Sequence, residues 1–198
     1  MKKINGYKSE APAKKTPMLP AGAYVAAIKN VKVEGNEPDQ RLVLRLDVIE
    51  GEWAGYFTKR YENDSQSAGF FSNFQATYKG DYKIQIPDER NPKRQHPEWD
   101  LKRLNNSIWC IEQSNPGFHW DGEHEMDLKG KIVGINMQEG TYNGNPYTTI
   151  GKLEVVDDVR SGNWTPMKPR AERTASQTVT GVDTQTGFVG VETDELPF

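Results

Sequence analysis

The strongest constraint on the fold comes from residues 41–50, RLVLRLDVIE, in which apolar and polar side chains alternate. On an extended strand, one face carries Leu42, Leu44, Leu46 and Val48, and the opposite face carries Arg41, Val43, Arg45 and Asp47. This pattern predicts a half-buried strand whose outer face is polar and partly basic. The preceding segment 22–33, GAYVAAIKNVKV, also has strand character, and residues 34–39 have the composition of a turn. Together they predict an antiparallel hairpin.

The remaining elements fix the expected fold class. Only residues 99–113 carry a convincing helical stripe, formed by Leu101, Leu104, Ile108 and Ile111. The other segments with strand character are residues 56–61 (YFTKRY), 82–86, 128–138 and 147–156. Three strands, an irregular segment, a helix and two strands predict a mainly β chain, a five-stranded OB-type barrel with one helix between strands 3 and 4. A β-sandwich with a decorating helix fits the same order less well.

Composition divides the chain into a folded body and polar tails. The apolar share is 35% and the mean hydropathy is -0.80, which indicates that part of the chain does not fold. Residues 1–20 carry five Lys against one Glu, whereas residues 183–198 carry four acids and neither Lys nor Arg. The expected organisation is a flexible basic arm (1–19), an OB-type domain (20–168), a disordered linker (169–190) and an acidic tip (191–198).

Several classes of function are disfavoured. The single cysteine, Cys110, rules out an internal disulfide and a cysteine-based metal site. The spacings of His119, Asp121, His124 and Glu125 match no established ligand pattern, which favours a polar loop over a metal-dependent nuclease. No phosphate-binding loop, dinucleotide turn, nucleophile elbow or catalytic triad is visible. We therefore expect no enzymatic activity, cofactor or metal. Without a signal-like or membrane-spanning stretch, we expect a soluble cytoplasmic protein.

Aromatic and basic side chains are interleaved in region 56–83. Binding of single-stranded DNA requires ring faces on which bases stack and cations that pair with phosphates. The predicted single-stranded DNA-binding residues are Tyr56, Phe57, Lys59, Arg60, Tyr61, Phe70, Phe71, Phe74, Tyr78, Lys79 and Tyr82, with Arg41 and Arg45 on the earlier strand. For any single ring, the hydrophobic core is the alternative location, and the sequence leaves open which face of residues 56–61 is wet.

The acidic tip combines a ring, a carboxylate end and preceding acids. The Phe198 ring can fill an apolar pocket while the terminal carboxylate pairs with a basic side chain. The acids before it attract basic partner surfaces. The predicted partner-binding residues are Asp194, Glu195, Leu196, Pro197 and Phe198. A tail that only keeps the protein soluble is the alternative.

The tip Asp194-Glu-Leu-Pro-Phe198 resembles the acidic ends of bacterial and phage single-stranded DNA-binding proteins. The body is similar to a family of such proteins carried by Gram-positive phages and conjugative elements. The segments that carry this resemblance are Met1-Lys-Lys-Ile-Asn-Gly-Tyr7, Leu19-Pro-Ala-Gly-Ala-Tyr24, Ile49-Glu-Gly-Glu52, Gly55-Tyr-Phe57, Asn115-Pro-Gly-Phe-His-Trp120 and Arg160-Ser-Gly162.

The resemblance implies a protein that coats single-stranded DNA with little sequence preference during replication or recombination of a phage or mobile element. It also implies that the tip recruits replication or recombination proteins. The alternative is a replication or recombination adaptor that does not itself bind DNA. The sequence leaves the oligomeric state open, a homo-oligomer included.

Overall fold

The computed structural model describes residues 17–68, 76–94 and 96–172 of the chain. Five strands form one antiparallel sheet in the order β3-β2-β1-β4-β5. The strands are β1 (Gly22–Glu34), β2 (Arg41–Val48), β3 (Asp81–Gln85), β4 (Ile132–Tyr142) and β5 (Asn145–Glu154). The helices are α1 (Tyr56–Ala68), α2 (Pro97–Ser114) and α3 (Val156–Ser161), with a short 3₁₀ turn at Glu125–Leu128.

The predicted class is confirmed in its coarse form: the domain is mainly β, with five strands and a helix, α2, between the third and fourth strands. The sheet is open, because β3 and β5 are its two edges and are not paired with each other in the described chain. β4 begins four residues later than predicted, because residues 125–128 form the 3₁₀ turn that buries Leu128.

The prediction of a strand at residues 56–61 is wrong, because these residues begin helix α1. The buried carboxylate of Asp47 accepts hydrogen bonds from the Phe57 backbone N–H (3.0 Å) and the Thr58 hydroxyl (2.5 Å). It thereby satisfies a donor that a helix N-terminus leaves without an intrahelical partner. Since Asp47 lies on β2, the feature that starts this helix is distant in sequence.

One face of the sheet packs on the hydrophobic core. The inward residues of β2 predicted from the alternation are all buried, and they pair with Ile28 on β1 and with Tyr82 and Ile84 on β3. Helix α2 closes the core by burying Ile108 and Ile111 against the sheet. The helical stripe is thus largely confirmed, although Leu101 at its start is exposed.

On the opposite, outer face of the sheet, α3 and the segment after it cover β1, β4 and part of β5, where Met167 lies against Gly151. Val159 of α3 lies against Gly134, where an added Cβ would come within 2.6 Å of it. The following segment is held to β4, since Asn136 donates to the Thr165 carbonyl (2.9 Å) and Gln138 to the Lys168 carbonyl (2.6 Å). Of the outward positions of β2, Arg41 and Arg45 reach solvent, whereas Val43 and Asp47 are buried, Asp47 under the start of α1. Among these residues, no helix has both the length and the apolar character needed to cross a membrane.

Candidate nucleic-acid interface

Four cations lie on the outer side of β1, β2 and β3, which we call the basic face: Lys32, Arg41, Arg45 and Lys83. The strand register assembles them, because Val43 pairs with Lys32 on one side and with Lys83 on the other. On the outer side of β2, Arg41 and Arg45 form a basic strip, as the sequence alternation predicts. The other two outward positions, Val43 and Asp47, are buried, so the strand is more than half buried and that part of the prediction is wrong.

Carboxylates are interspersed with these cations. Glu34 accepts from Lys32 (2.6 Å) and from Lys83 (2.8 Å), and these hydrogen bonds lower the pKa of Glu34 to about 2. Arg45 makes a bidentate pair with Asp81 (2.9 and 3.2 Å), which raises the pKa of the guanidinium. The arginine is held in one orientation by a planar fork of hydrogen bonds. The basic face is thus ordered by its own ion pairs.

An aromatic cluster continues the basic face at the Arg45 end. The guanidinium carbon of Arg45 lies 4.7 Å from the ring centre of Tyr78, a cation–π distance. The Tyr61 ring on α1 lies 5.8 Å from the Tyr78 ring. Tyr78 donates its hydroxyl to the Leu46 carbonyl (2.9 Å), and burial raises the pKa of Tyr78 to about 12. Tyr78 is therefore a fixed support, and Tyr61, 40% exposed, offers a ring face to solvent.

A buried polar network closes the other end of the basic face. The Gln85 side chain donates to Asp39 (3.1 Å) and to the Gln40 carbonyl (2.9 Å) and accepts from Arg41 (3.2 Å). Buried Asn91 donates to the Pro38 carbonyl (3.1 Å) and so ties the loop after β3 to the loop between β1 and β2. These amides were not predicted, since only the folded register brings them together.

The structure separates the predicted binding residues into groups. It brings Arg45, Tyr61 and Tyr78 together and places Arg41 on the same side of β2 at the other end of the strand. Lys79 is exposed in the turn before β3. The rings of Tyr56, Phe57 and Tyr82 are buried in the core at 4%, 2% and 3% exposure. Their prediction as stacking residues is therefore wrong, because a base cannot reach a ring that other side chains already cover.

Two predicted cations lie on helix α1 away from the sheet strip. Lys59 donates to the Ala54 carbonyl (2.8 Å) and Arg60 to the Tyr56 hydroxyl (2.8 Å), so both support the start of the helix. Phe70, Phe71 and Phe74 lie outside the described residues, as does the whole predicted tip, Asp194 to Phe198. Lys32 and Lys83 also belong to the basic face: Lys83 lies in the predicted region 56–83, whereas Lys32 was not predicted. The alternation of β2 shows which of its own residues point outward. Assigning Lys32 and Lys83 to the same face also requires knowing which residues of β1 and β3 pair with β2.

Three exposed side chains in the loop after α2 could hold a cation. The ligand atoms of Asp121, His124 and Asp127 lie within 4.8 Å of one another. The His124 ring is hydrogen-bonded to the Asp121 carboxylate, which raises the pKa of His124. The backbone N–H of His124, together with that ring, lowers the pKa of Asp121. A cation would have to compete with this existing pair and with water at every ligand, so the arrangement supports weak binding at most.

Comparison with known proteins does not place the chain in a family. No model of a protein family matches the sequence, and the search of curated proteins found no match.

Proposed function

We propose that the chain binds single-stranded DNA across the basic face, with Tyr61 and Tyr78 as the stacking end of the path. The observation that carries the proposal is the contact chain in which Arg45 lies over Tyr78 and Tyr78 lies against the exposed ring of Tyr61. Bases stack on aromatic and guanidinium planes, and neighbouring cations follow the phosphates. Such contacts read no base edges, so little sequence preference is expected.

The strand arrangement supports an OB-type body. β1 pairs with both β2 and β4, β4 forms a hairpin with β5, and α2 lies between β3 and β4, as in a five-stranded OB barrel left open between β3 and β5. In OB folds, oligonucleotides bind to the face of strands 2 and 3 and to the loops beside it, which is where the basic face lies. Helix α1 would then be an insertion between the second and third strands.

The strip from Arg41 to Arg45 extends about 13 Å at the usual rise per strand residue. This length matches a short stretch of single-stranded DNA, so each cation and each ring should contribute individually to binding.

We further propose that the tip, residues 194–198, recruits replication or recombination proteins of a phage or mobile element. The support for that role is the sequence Asp194-Glu-Leu-Pro-Phe198, in which two acids precede an apolar segment that carries an aromatic ring.

A titration of the full chain with fluorescently labelled oligo-dT, followed by anisotropy, tests the DNA-binding proposal. Log affinity should fall with log salt concentration at about -0.7 per phosphate contacted. Arg45→Ala should weaken binding and make the slope less steep by about 0.7. Arg160→Ala, which removes a surface arginine on α3, is the matched control and should bind like the wild type. Salt-independent binding, or equal effects of the two substitutions, would contradict the proposal.

The adaptor function remains a second candidate because the cations of the basic face already have carboxylate partners, Glu34 and Asp81 among them. A phosphate must compete with these partners. The same titration separates the two candidates, since an adaptor gives no anisotropy change with oligo-dT at low salt while its tip still captures partner proteins.

A further inference from the structure

An apolar groove opens between α2 and the end of the sheet opposite to the start of β1. It has a volume of about 550 Å³. Its apolar lining consists of Val33, Leu42, Ile86, Leu104, Ile108, Trp109 and Trp120. Trp109 is 55% exposed and Val33 40% exposed, although both are large apolar side chains. Contiguous apolar surface of this kind is typical of a binding groove.

The rim of this groove is acidic. Its lining includes four carboxylates, from Glu112, Asp121, Glu123 and Glu125, and no Lys or Arg is among the described residues that line it. Glu112 fixes the rim segment, because its carboxylate accepts from the Trp120 backbone N–H (3.0 Å) and from the His119 ring (2.8 Å). The groove therefore suits a ligand with apolar side chains flanked by positive charges.

Residues 1–16 of the chain have this chemistry. The segment MKKINGYKSEAPAKKT carries five Lys against one Glu, with Ile4 and Tyr7 between the lysines. The acidic tip at residues 191–198 has the opposite charge and would be repelled by the rim. Charge complementarity thus selects the basic segment among the parts of the chain outside the described residues.

The fold makes a second copy the better donor of this segment. Leu19 is fixed beside the start of β1, since its N–H donates to the Tyr56 hydroxyl (3.0 Å) and its carbonyl accepts from Thr148 (2.7 Å). The groove lies at the other end of β1, at Val33, about 36 Å away along the strand. Reaching it within one chain would take about ten extended residues and leave few to bind. A neighbouring copy can present the whole segment.

We propose that residues 1–16 of one copy dock in the acidic apolar groove of the next copy. The contact joins two different surfaces, so it allows a head-to-tail row of molecules, which is a ring or an open filament depending on the rotation between copies. The docking itself does not depend on DNA binding. If the basic face also binds DNA, each copy in the row would present that face in a repeated orientation.

Sedimentation velocity of the full chain, at low salt and without nucleic acid, tests the docking. The wild type should associate with rising concentration. The arm variant Lys2→Glu/Lys3→Glu/Lys8→Glu and the groove variant Glu123→Lys/Glu125→Lys should each raise the dissociation constant by about tenfold, through loss of surface charge pairs. A mixture of the two variants should associate again, because it contains two complementary pairs: the unchanged arm with the unchanged groove, and the reversed arm with the reversed groove. This rescue requires both variants to be folded.

The control variant Glu89→Lys/Glu139→Lys reverses two exposed acids outside the groove and should associate like the wild type. A wild type that stays monomeric at its highest soluble concentration would overturn the proposal, as would a mixture without restored association. Loss of association on deletion of residues 191–198 with the arm variant unaffected would also overturn it, because the tip would then be the occupant. None of these outcomes bears on the oligo-dT titration.

Discussion

Glu34 lies between two lysines of the basic face, so its replacement gives an unusual prediction: Glu34→Gln should strengthen the binding of single-stranded DNA. The Glu34 carboxylate accepts from Lys32 (2.6 Å) and from Lys83 (2.8 Å). Both lysine side chains are about half exposed and could turn toward a phosphate. Any phosphate that approaches them must first weaken these two ion pairs. Glutamine keeps the size of the side chain and removes the competing charge.

The size of the effect follows from the exposure of the two pairs. An exposed ion pair contributes about 0.2–1 kcal/mol. Removing the competition at both lysines should therefore improve binding by about 1 kcal/mol, or about fivefold in the dissociation constant. Each lysine that gains a phosphate contact should also make the salt slope steeper by about 0.7. A tighter dissociation constant together with a steeper salt slope indicates new phosphate contacts, because a change in folding would not add phosphate contacts to the slope.

Anisotropy titrations of labelled oligo-dT at several salt concentrations measure both quantities. Glu50→Gln is the matched control, because it breaks a similar surface pair, with Arg160, beyond the far end of β2. The control should bind like the wild type. If Glu34→Gln binds no tighter than Glu50→Gln, with an unchanged slope, the lysines do not contact phosphate and the path across the basic face is wrong.

Four further predictions use the same structure. Tyr61→Ala should weaken oligo-dT binding by about 1–3 kcal/mol, measured by anisotropy, with little change in urea unfolding. Tyr82→Ala should instead lower the free energy of unfolding by about 3 kcal/mol, because its ring is core. Asp47→Ala should cost about 1–3 kcal/mol in urea unfolding, since two donors at the start of α1 lose their buried acceptor. The stability difference between wild type and Glu34→Gln should be constant at pH values well above 4.5 and shrink as the pH falls through 4.5 toward 2, because the folded-state pKa of Glu34 is lowered to about 2. An undiminished difference at pH 2 would refute the assignment of that ion pair.

Much of the sheet was predictable because its signals are local. The alternation in residues 41–50 identifies both faces of β2, and the apolar stripe in residues 99–113 identifies α2. The start of α1 was not predictable, because its N-terminal acceptor, Asp47, lies on another element. In a window of six residues, YFTKRY, helix and strand patterns are hard to separate when the stabilising contact comes from outside the window.

The binding residues were predicted less completely, because exposure depends on the neighbours of each ring. Tyr78 and Tyr82 are four residues apart in the same polar stretch, yet Tyr78 contacts Arg45 on the outer side and Tyr82 is buried on the inner side. The strand register decides this difference: Tyr82 pairs with the inward Leu44. Composition can show that a segment holds rings and cations, but only pairing assigns them to a face.

Lys32 shows how one irregularity in the sheet creates the basic face. Counting by two from the inward Ile28 would direct Lys32 into the core. The register of β1 against β2 shifts between Ile28 and Asn30, so that Val31 turns inward and Lys32 turns outward beside Lys83. A bulge that inserts one residue reverses the faces of everything after it. The pair of lysines around Glu34 therefore depends on this bulge, and an ideal alternation would have placed a charge in the core and left the face with one lysine.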